Sequence, residues 1–313
     1  MGRVRRRLAN KYRQINLEVS SLQRRFAGNG ARTGGVRPEN IIWIFGTGRG
    51  GSTWLRSMMK EMEGYRVWEE PLIGSLFGSF YGATPKGHRK RASFVFGEPI
   101  RKGWVRSIRN FVLDGAGYSQ PRLGPEDYLV VKEPNGSEGA PLLMEALPES
   151  RLIFLIRDPR DVVASILDGA RKGNWLHQRG QAGAWKQDVL ADEQPDVFVE
   201  NRARIYLQNV GSVKQAYDAH QGPKVLVCYE DLLEDTLGTM KRIYSTLGIP
   251  ADKEELVRAV EKHSWENIPE KKKGAGKFYR KGVAGGWRED LTPEQAALVE
   301  RTTAPLLEEY YPA

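Results

Sequence analysis

The sequence predicts an α/β protein of three layers, in which helices cover both faces of a central parallel sheet. From residue 40 onward, short apolar runs alternate with segments of helical apolar spacing, the pattern of β–α–β units. The first run is apolar at every position, as expected for a strand buried on both faces. With 313 residues, 40% hydrophobic and 28% charged, the chain has the composition and length of a globular protein with a sizeable core.

The apolar patterns place the individual elements in chain order. The strand candidates are residues 41–45, 128–132, 152–156 and 224–229. The helix candidates are residues 54–62, 137–147, 159–170, 197–219, 235–247, 251–262 and 293–310. Residues 72–127 are rich in glycine, aromatic and basic residues without a strong period, so we expect irregular structure with a binding pocket over the sheet edge.

Cysteine and histidine usage limits the chemistry that the chain can perform. Cys228 is the only cysteine, which excludes an internal disulfide and fits a reducing cytoplasm. The four histidines are scattered and form no metal-ligand spacing, so we predict no metal. We expect a cytoplasmic protein, with a peripheral position on the inner face of the membrane as an alternative.

The net charge of +9 belongs to an N-terminal arm. Residues 1–37 contain ten Lys or Arg and one acid, Glu18, whereas residues 38–313 contain 38 basic and 38 acidic side chains. We therefore predict a basic amphipathic helix and linker over residues 1–37, a single domain over residues 38–313, and no specific nucleic-acid partner. The arm has an apolar seam of period 3.5, formed by Val4, Leu8, Tyr12, Ile15, Val19, Leu22 and Phe26.

The seam at residues 4–26 is compatible with three partners. The arm helix could form a homo-oligomer, lie on an anionic membrane surface, or pack on its own domain. The sequence does not separate these three alternatives.

Residues 41–60 carry the strongest functional pattern. An apolar run is followed by glycine at four of the next six positions, and then by Ser52, Thr53 and helical spacing. A strand, a glycine-rich turn and a helix N-terminus present free backbone N–H groups and the positive end of the helix dipole to an anion. Arg49 adds a full positive charge within the turn. We predict a phosphate-binding cradle in a P-loop-like fold.

The cradle differs from that of nucleotide-dependent kinases. In the Walker pattern a Lys precedes the hydroxyl residue, whereas here Ser52 follows Gly51 directly and the positive charge is at Arg49. This arrangement indicates one phosphate near the turn instead of a metal-bridged triphosphate. A P-loop kinase therefore remains only an alternative, as does a non-catalytic nucleotide-binding protein.

Three further segments have phosphate-binding or base-binding character. Arg157 follows a predicted strand at the carboxyl end, and Ser165 lies in the second turn of the next helix, so the pair can hold one phosphate from two sides. Asp158 or Asp161 can cap that helix. Tyr229 ends the last predicted strand and can lie against an adenine. Residues 271–287 alternate cations with glycines and can close over a second phosphate.

Taken together, residues 40–290 resemble the family of sulfotransferases that use 3′-phosphoadenosine 5′-phosphosulfate (PAPS). The resemblance implies PAPS as the donor, with no metal. It implies that the 5′-phosphosulfate loop and the helix start after it consist of Gly48, Arg49, Gly50, Gly51, Ser52, Thr53 and Trp54. It further implies that the rest of the donor site consists of Arg157, Ser165, Tyr229, Trp265, Arg280, Lys281 and Gly282. Gly286 stands where the family's closing segment commonly has Asp.

The resemblance also implies the groups that act on the reacting atoms. Lys132, at the end of a predicted strand, has the position that stabilises the leaving oxygen, and Arg49 suits the equatorial oxygens of the sulfuryl group. Pro134 stands where cytosolic enzymes of the family have a histidine base. The carbohydrate and tyrosylprotein branches instead use a Glu about twenty residues after the loop cation, which selects Glu70, with Glu69 and Glu133 as alternatives. We predict sulfuryl transfer to a hydroxyl of a glycan, a glycolipid or another small metabolite.

Overall fold

The computed structural model describes residues 36–181 and 190–312. The predicted arm helix, residues 4–26, lies outside the described residues. Residues Val36–Ala313 form one compact unit. Its strands are β1 (Ile41–Phe45), β2 (Tyr65–Glu69), β3 (Tyr128–Lys132), β4 (Arg151–Ile156) and β5 (Lys224–Cys228).

The strands form one five-stranded sheet in the order β2-β3-β1-β4-β5, and every neighbouring pair is parallel. The predicted fold class is confirmed, and the four predicted strands are present. The sequence patterns missed β2, an edge strand in which only Tyr65 is buried, while Arg66 and Glu69 are exposed and the two residues between them are half-buried. An edge strand with charged residues lacks the continuous apolar run that identifies a central parallel strand.

Helices cover both faces of this sheet. The α-helices are α1 (Ser52–Lys60), α2 (Phe80–Ala83), α3 (Lys86–Arg89), α4 (Arg101–Ser119), α5 (Ala140–Ala146), α6 (Pro159–Ala170), α7 (Trp175–Gln181), α8 (Leu190–Glu193), α9 (Pro195–Ala219), α10 (Tyr229–Glu234), α11 (Thr236–Leu247), α12 (Lys253–Lys262), α13 (Trp287–Asp290) and α14 (Pro293–Tyr310). A π-helix and four 3₁₀ helices add Ser75–Ser79, Pro38–Asn40, Glu98–Ile100, Pro134–Gly139 and Glu270–Lys272.

The core consists of two apolar layers, one on each side of the sheet. Alternate residues of β1 point to opposite faces, so Trp43 packs in the layer with α4, α5 and α9, and Ile44 packs in the layer with α1, α11 and α12. All five β1 side chains are fully buried. Burial on both sides fixes β1 at the centre of the sheet, so the turn that follows it opens at the middle of the carboxyl edge, where open α/β sheets bind ligands.

Two sequence-based expectations need correction. Residues 72–127 are not irregular throughout, because they contain the 19-residue helix α4. Its buried residues Trp104, Ile108, Val112 and Ala116 recur every four positions, a helical stripe that the glycines and cations between them obscure. The last strand ends at Cys228, and Tyr229 is the first residue of helix α10.

Candidate active site

The glycine-rich turn after β1 leads directly into helix α1. Gly51 caps this helix with φ 95°, in the left-handed region that favours glycine. A Cβ atom at Gly51 would lie 2.5 Å from the ring of Tyr229, so the position also requires the absence of a side chain. Ser52 and Thr53 begin the helix, and the backbone N–H groups of a first turn have no partner within the helix. The turn therefore presents N–H groups and the positive end of a helix dipole at the sheet edge.

The side chain of Arg49 connects this turn to two distant segments. Its Nε donates to Ser165 Oγ at 2.9 Å, and its Nη2 donates to the Phe278 carbonyl oxygen at 2.5 Å. The guanidinium group lies over the rings of Trp175 and Phe278, 5.1 and 4.7 Å from their centroids. Because α6 carries Ser165, the predicted turn and the predicted helix meet at one point.

Burial, with the nearby charges of Arg157 and Arg280 as the next causes, lowers the pKa of Arg49 to about 10. Arg49 therefore remains positively charged at neutral pH, close to two further cations. Guanidinium groups held together in a buried place repel one another, and an anion between them would remove that repulsion. The electrostatics of this cluster thus favour a negatively charged ligand.

Arg157 lies beside Arg49 at the end of β4. Its Nη1 donates to the Arg49 carbonyl oxygen at 3.1 Å, and its guanidinium carbon lies 4.2 Å from the ring centroid of Tyr229. Tyr206 fixes the backbone here, since its hydroxyl donates to the Arg157 carbonyl oxygen at 2.6 Å. Arg157 Nε is buried and has no hydrogen-bond partner in the described part of the chain. An unpaired buried donor beside a hydroxyl and a second arginine fits an oxygen-rich ligand such as a phosphate.

An aromatic wall stands next to this cation cluster. The ring of Tyr229 lies between Arg157 and Gly51, and the ring of Trp54 meets it edge-on with centroids 6.2 Å apart. Trp54 is held by a hydrogen bond of 2.8 Å from its Nε1 to the His263 carbonyl oxygen. A planar, uncharged base can pack on such a surface.

The predicted closing segment, residues 279–287, is tied to helix α6 by Asp161. This fully buried carboxylate accepts hydrogen bonds from the backbone N–H groups of Gly285 at 2.8 Å and Trp287 at 2.9 Å. Asp158 caps α6 by accepting from the Arg160 N–H at 2.8 Å. The two acids that the sequence left as alternative caps therefore have different roles, and Asp161 holds the closing segment over the site.

The cations of the closing segment are paired with acids of helix α13. Arg280 contacts Asp290 at 2.5 Å, and Lys281 contacts Glu289 at 2.7 Å and Asp290 at 3.1 Å. The side chain of Arg280 is 7% exposed and that of Lys281 is 30% exposed. Arg280 contributes positive charge near Arg49, and a phosphate there would share this cation with Asp290.

The segment also contacts an aromatic residue that precedes it in the chain. Gly282 has φ 65°, and a Cβ atom there would lie 2.4 Å from the ring of Trp265. Lys273 lies over the same ring at 5.1 Å. The sequence placed Trp265 and Gly282 in one site, and the structure brings the two residues into contact.

At the other end of the carboxyl edge, Lys132 joins two carboxylates. Strands β2 and β3 pair with Glu69 opposite Lys132, and the Lys132 Nζ donates to Glu69 Oε1 at 2.8 Å and to Glu70 Oε1 at 2.5 Å. The Lys132 side chain is 4% exposed, whereas Glu69 and Glu70 are 44% and 24% exposed. The ammonium group is thus buried behind two carboxylates that reach the surface.

The two carboxylates differ in their remaining partners. Glu69 is also bound by Arg56 at 2.6 Å, and although partial burial opposes it, hydrogen bonding to Lys132 and Arg56 lowers the pKa of Glu69. Glu70 Oε2 instead accepts from the neutral amide of Asn135 at 3.1 Å. Among the described residues, Glu69 therefore contacts two cations and Glu70 one.

Glu133, the third candidate base, is fully buried beneath the turn that follows Glu70. Its two carboxylate oxygens accept from the backbone N–H groups of Leu72 and Gly74, each at 3.0 Å. Burial raises the pKa of Glu133 to about 7, against these two hydrogen bonds. A carboxylate enclosed in this way does not reach a substrate hydroxyl, so its position supports the turn instead.

The cation cluster around Arg49 and the carboxylates around Lys132 meet at the glycine-rich turn. A Cβ atom at Gly48 would lie 3.3 Å from Asn135 Oδ1, and the amide of Asn135 donates to Glu70. Arg49 points the other way, toward Ser165 and Phe278, and no contact joins it to Lys132 or Glu70 within residues 36–181 and 190–312. The backbone of one turn thus faces the carboxylates while its arginine belongs to the cation cluster.

Sequence reasoning missed several residues of this site. Asn135, Trp175 and Phe278 were not selected, and Asp161 was considered only as a helix cap. Asn135 follows Lys132 by three residues, so the sequence could have identified it as a polar residue in the turn after β3. Trp175 and Phe278 reach Arg49 from segments far apart in sequence, and a single sequence gives no indication of such a contact.

The arrangement defines an α/β protein with a P-loop-like sheet, an anion-binding turn and a lysine–carboxylate pair at one edge. Residues 39–310 match the family model of the Sulfotransferase domain, so the chain belongs to the sulfotransferase family.

Individual relatives are similar to parts of the chain. Cytosolic sulfotransferase 17 of Arabidopsis thaliana is 26% identical over 183 residues, which cover 50% of this chain and 51% of the relative. Sulfotransferase 2A6 of Rattus norvegicus is 24% identical over 223 residues, which cover 63% of this chain and 72% of the relative. The chain spans about half the length of most of the curated relatives that it matches.

Solved structures share the fold. Mouse sulfotransferase SULT7A1, in complex with PAP, superposes with a TM-score of 0.55 at 16% identity, over 88% of this chain and 90% of that chain. Sulfotransferase STF9 from Mycobacterium avium gives a TM-score of 0.56 at 14% identity, over 88% and 78%. No helix in the described ranges is long and apolar enough to cross a membrane. Among the described residues, no group of three or more His, Cys, Asp or Glu side chains is placed to hold a metal ion.

Proposed function

We propose that this protein transfers the sulfuryl group of PAPS to a hydroxyl of a glycan, a glycolipid or another small metabolite. Family membership supports the reaction class. The observation that carries the catalytic assignment is the contact of Glu70 with the buried ammonium group of Lys132, at 2.5 Å, beside the anion-binding turn. This pair provides a group that takes a proton next to a group that stabilises negative charge.

The donor site consists of the turn, the cation cluster and the aromatic wall. The unpaired Nε of buried Arg157 and the hydroxyl of Ser165 would hold the 3′-phosphate, with Arg49 between them. The N–H groups at the start of α1 would hold the 5′-phosphosulfate, and Tyr229 with Trp54 would contact the adenine. All these groups lie on one edge of the sheet, as the three parts of a single nucleotide require.

Two residues would act on the reacting atoms. PAPS supplies a sulfuryl group joined to phosphate by an anhydride bond, and adenosine 3′,5′-bisphosphate leaves. Glu70 takes the proton of the acceptor hydroxyl, while Lys132 stabilises the negative charge on the leaving oxygen. The N–H groups of the turn stabilise the equatorial oxygens. The contacts of Arg49 favour a role in donor binding, because its guanidinium is engaged by Ser165 and Phe278.

Glu70 is the better base of the two exposed carboxylates. Each oxygen of Glu69 contacts a cation. Protonation of Glu69 would therefore weaken its ion pairs with both Arg56 and Lys132. Glu70 has one cationic and one neutral partner. This difference supports a Glu base, as in the carbohydrate and tyrosylprotein branches. We also propose that residues 38–313 form a single catalytic domain of a cytoplasmic protein and that residues 1–37 form a separate arm.

The direct test is transfer from PAPS to a library of hydroxylated acceptors in the presence of EDTA. We expect release of adenosine 3′,5′-bisphosphate and products heavier by one SO₃ group, with both signals lost in Glu70→Gln. Binding of the bisphosphate without transfer to any acceptor would favour a non-catalytic nucleotide-binding protein. Phosphoryl transfer from Mg·ATP would instead favour a kinase.

A further inference from the structure

Exposed apolar side chains are unevenly distributed over the described chain. Six of the eleven large hydrophobic side chains that are exposed lie within residues 72–113, about a sixth of the described residues. We name residues 72–113 the basic apolar face. Its exposed hydrophobic residues are Leu72, Leu76, Phe80, Val95, Ile100 and Phe111. Clustering of this kind on a soluble domain marks an interaction surface.

Part of this face is a ridge that begins beside Glu70. Leu72, Leu76 and Phe80 are four residues apart, and the Leu76 N–H donates to the Leu72 carbonyl oxygen at 3.0 Å. They therefore share one side of a helical segment and extend over roughly 10 Å. The other side of the segment carries Gly74 and Gly78, whose α-carbons pack so closely on the turn after β3 that no Cβ atom would fit. The segment is thus held by its glycine side and presents its apolar side outward.

The same face is strongly basic. Residues 72–113 contain eight Lys or Arg and one acid, Glu98, for a net charge of +7, although residues 38–313 together are neutral. Arg101 and Arg109 are paired with glutamates. The other exposed cations make no ion pair with any residue that the structure describes; they are Lys86, Lys90, Arg91, Lys102 and Arg106.

The basic residues of segment 86–91 lie against the ridge. The ring of Phe94 is 6.3 Å from that of Phe80 and 6.3 Å from that of His88, which joins residues 86–91 to the end of the ridge. Positive charge and exposed apolar surface are therefore adjacent in space as well as in sequence.

The chemistry of the face selects one class of partner. A small ligand is normally enclosed by a concave site, whereas Leu76, Phe80 and Val95 are 54%, 53% and 61% exposed. A second copy of this face would set the same five exposed cations against each other, and the N-terminal arm, with a charge of +9, would also meet charge of the same sign. An anionic lipid surface has negative headgroups over an apolar interior and complements both features.

We propose that the basic apolar face binds the surface of an anionic lipid bilayer. Leu76, Phe80 and Val95 enter the interface, and the cations of residues 86–91 contact the headgroups. Because Leu72 follows Glu70 by two residues, binding places the candidate base at the edge of the lipid. The further consequence, an acceptor hydroxyl presented by a lipid, rests on the proposed function, whereas the binding itself does not.

The first test measures binding of the full chain to vesicles. Phosphatidylcholine vesicles with about 30% phosphatidylglycerol, a fraction that gives a clearly anionic surface, should bind the protein, and pure phosphatidylcholine should not. Lys90→Ala with Arg91→Ala should weaken binding about 25-fold, at roughly fivefold for each cation. Leu76→Ser with Phe80→Ser should weaken it about tenfold or more. The matched controls on exposed positions of α11 and α12, Lys241→Ala and Val257→Ser, should bind like the wild type.

The second test locates the contact and separates it from the arm. In a Cys228→Ser background, a polarity-sensitive fluorophore on Leu76→Cys should shift to the blue on anionic vesicles, and one on Val257→Cys should not. Unchanged binding of the two double variants, or no shift at position 76, would overturn the proposal and assign any binding to another part of the chain. The thermal shift with adenosine 3′,5′-bisphosphate, measured on the same variants, reports the donor site independently, so its failure would concern only the proposed function.

Discussion

The two ends of the candidate site are built differently. At the donor end, residues from four distant segments are locked by short contacts, such as Arg49 to Ser165 and Asp161 to the closing segment. At the acceptor end, Glu70 reaches the surface and is followed by a ridge of half-exposed apolar side chains. In the proposed function this end binds one fixed molecule, PAPS, and a rigid site lowers the entropy that binding costs. The proposed acceptor end is exposed, so a surface or a substrate can contact it directly.

This contrast predicts that substitutions at the two ends change different measured quantities. Variants at the donor end should alter the dissociation constant of the nucleotide and leave turnover at saturating donor nearly unchanged. Variants at the acceptor end should alter turnover or acceptor use and leave nucleotide binding unchanged. A variant at either end that changed both quantities equally would show that the two ends are coupled through the turn at Gly48.

The largest effect is expected from Glu70→Gln. Removing a positioned general base lowers the rate about 10²–10⁴-fold, and the isosteric amide keeps the shape of the site. We expect kcat to fall by this amount, while the dissociation constant of adenosine 3′,5′-bisphosphate stays within twofold to threefold, about the scatter expected for a non-contacting change. Glu69→Gln is the matched control and should retain far more activity. A Glu70→Gln enzyme within tenfold of wild-type kcat would remove Glu70 from the role of base.

Glu133 gives the acceptor end a pH-dependent stability. Its pKa in the folded state is raised by burial to about 7, above that of an exposed glutamate, so the folded state retains a proton that the unfolded chain has lost. The contribution is fully present below about pH 4.5 and is lost as pH rises through 7, a change of roughly 3 kcal/mol in the free energy of unfolding. Glu133→Gln cannot titrate and should lack this slope. Urea unfolding of both proteins at pH 5 and pH 8 measures the difference, and parallel pH profiles would contradict the assignment.

Arg157→Ala should act only at the donor end. The variant loses charge-assisted hydrogen bonds to a phosphate, each worth about 1.5–3 kcal/mol, so the dissociation constant of the bisphosphate should rise about 10–100-fold. Arg157→Lys keeps the charge but loses the planar guanidinium group, so its dissociation constant for the bisphosphate should lie between those of the wild type and Arg157→Ala. Isothermal titration gives the affinities. An unchanged affinity in both variants would place the 3′-phosphate elsewhere.

Ser165→Ala should give the smallest effect. Loss of the single hydrogen bond from this hydroxyl to the phosphate costs about 1.5 kcal/mol, the low end of the range for bonds to a charged group, which corresponds to a roughly tenfold weaker affinity for adenosine 3′,5′-bisphosphate. Adenosine 5′-monophosphate lacks the 3′-phosphate, so its affinity should be the same in the variant and the wild type. Equal losses for both nucleotides would show that Ser165 acts by positioning Arg49 and not by contacting the phosphate.

The sequence was informative where a local pattern and a physical requirement coincide. Strand β1, the glycine-rich turn and the hydroxyls of Ser52 and Thr53 are contiguous, and each has a composition that its structure requires. The strands other than the half-exposed edge strand β2 and the long helices other than α4 followed from apolar spacing, whereas the short helices α2, α3, α7, α8, α10 and α13 were not predicted. Strand β2 and helix α4 carry many charged or glycine residues, which mask the apolar period.

A single sequence does not predict contacts between distant segments. The acids Glu69, Glu70 and Glu133 are equivalent by composition, and only the fold shows that Glu133 is enclosed while Glu70 faces a neutral amide. The neutral charge of residues 38–313 also concealed a segment, residues 72–113, with a net charge of +7, because opposite charges elsewhere in the domain cancel it. A residue's role that depends on its burial or on a distant partner is visible only in the folded structure.

The most direct test of the donor site is thermal unfolding in the presence of adenosine 3′,5′-bisphosphate and, separately, of ATP with Mg²⁺. A ligand at about 100 times its Kd stabilises the native state by roughly 2.7 kcal/mol, or about 5 °C for a domain of this size. We predict this shift with the bisphosphate, unaffected by EDTA and reduced in Arg157→Ala. A shift with Mg·ATP alone would contradict the assignment of the turn at Arg49 and favour a kinase.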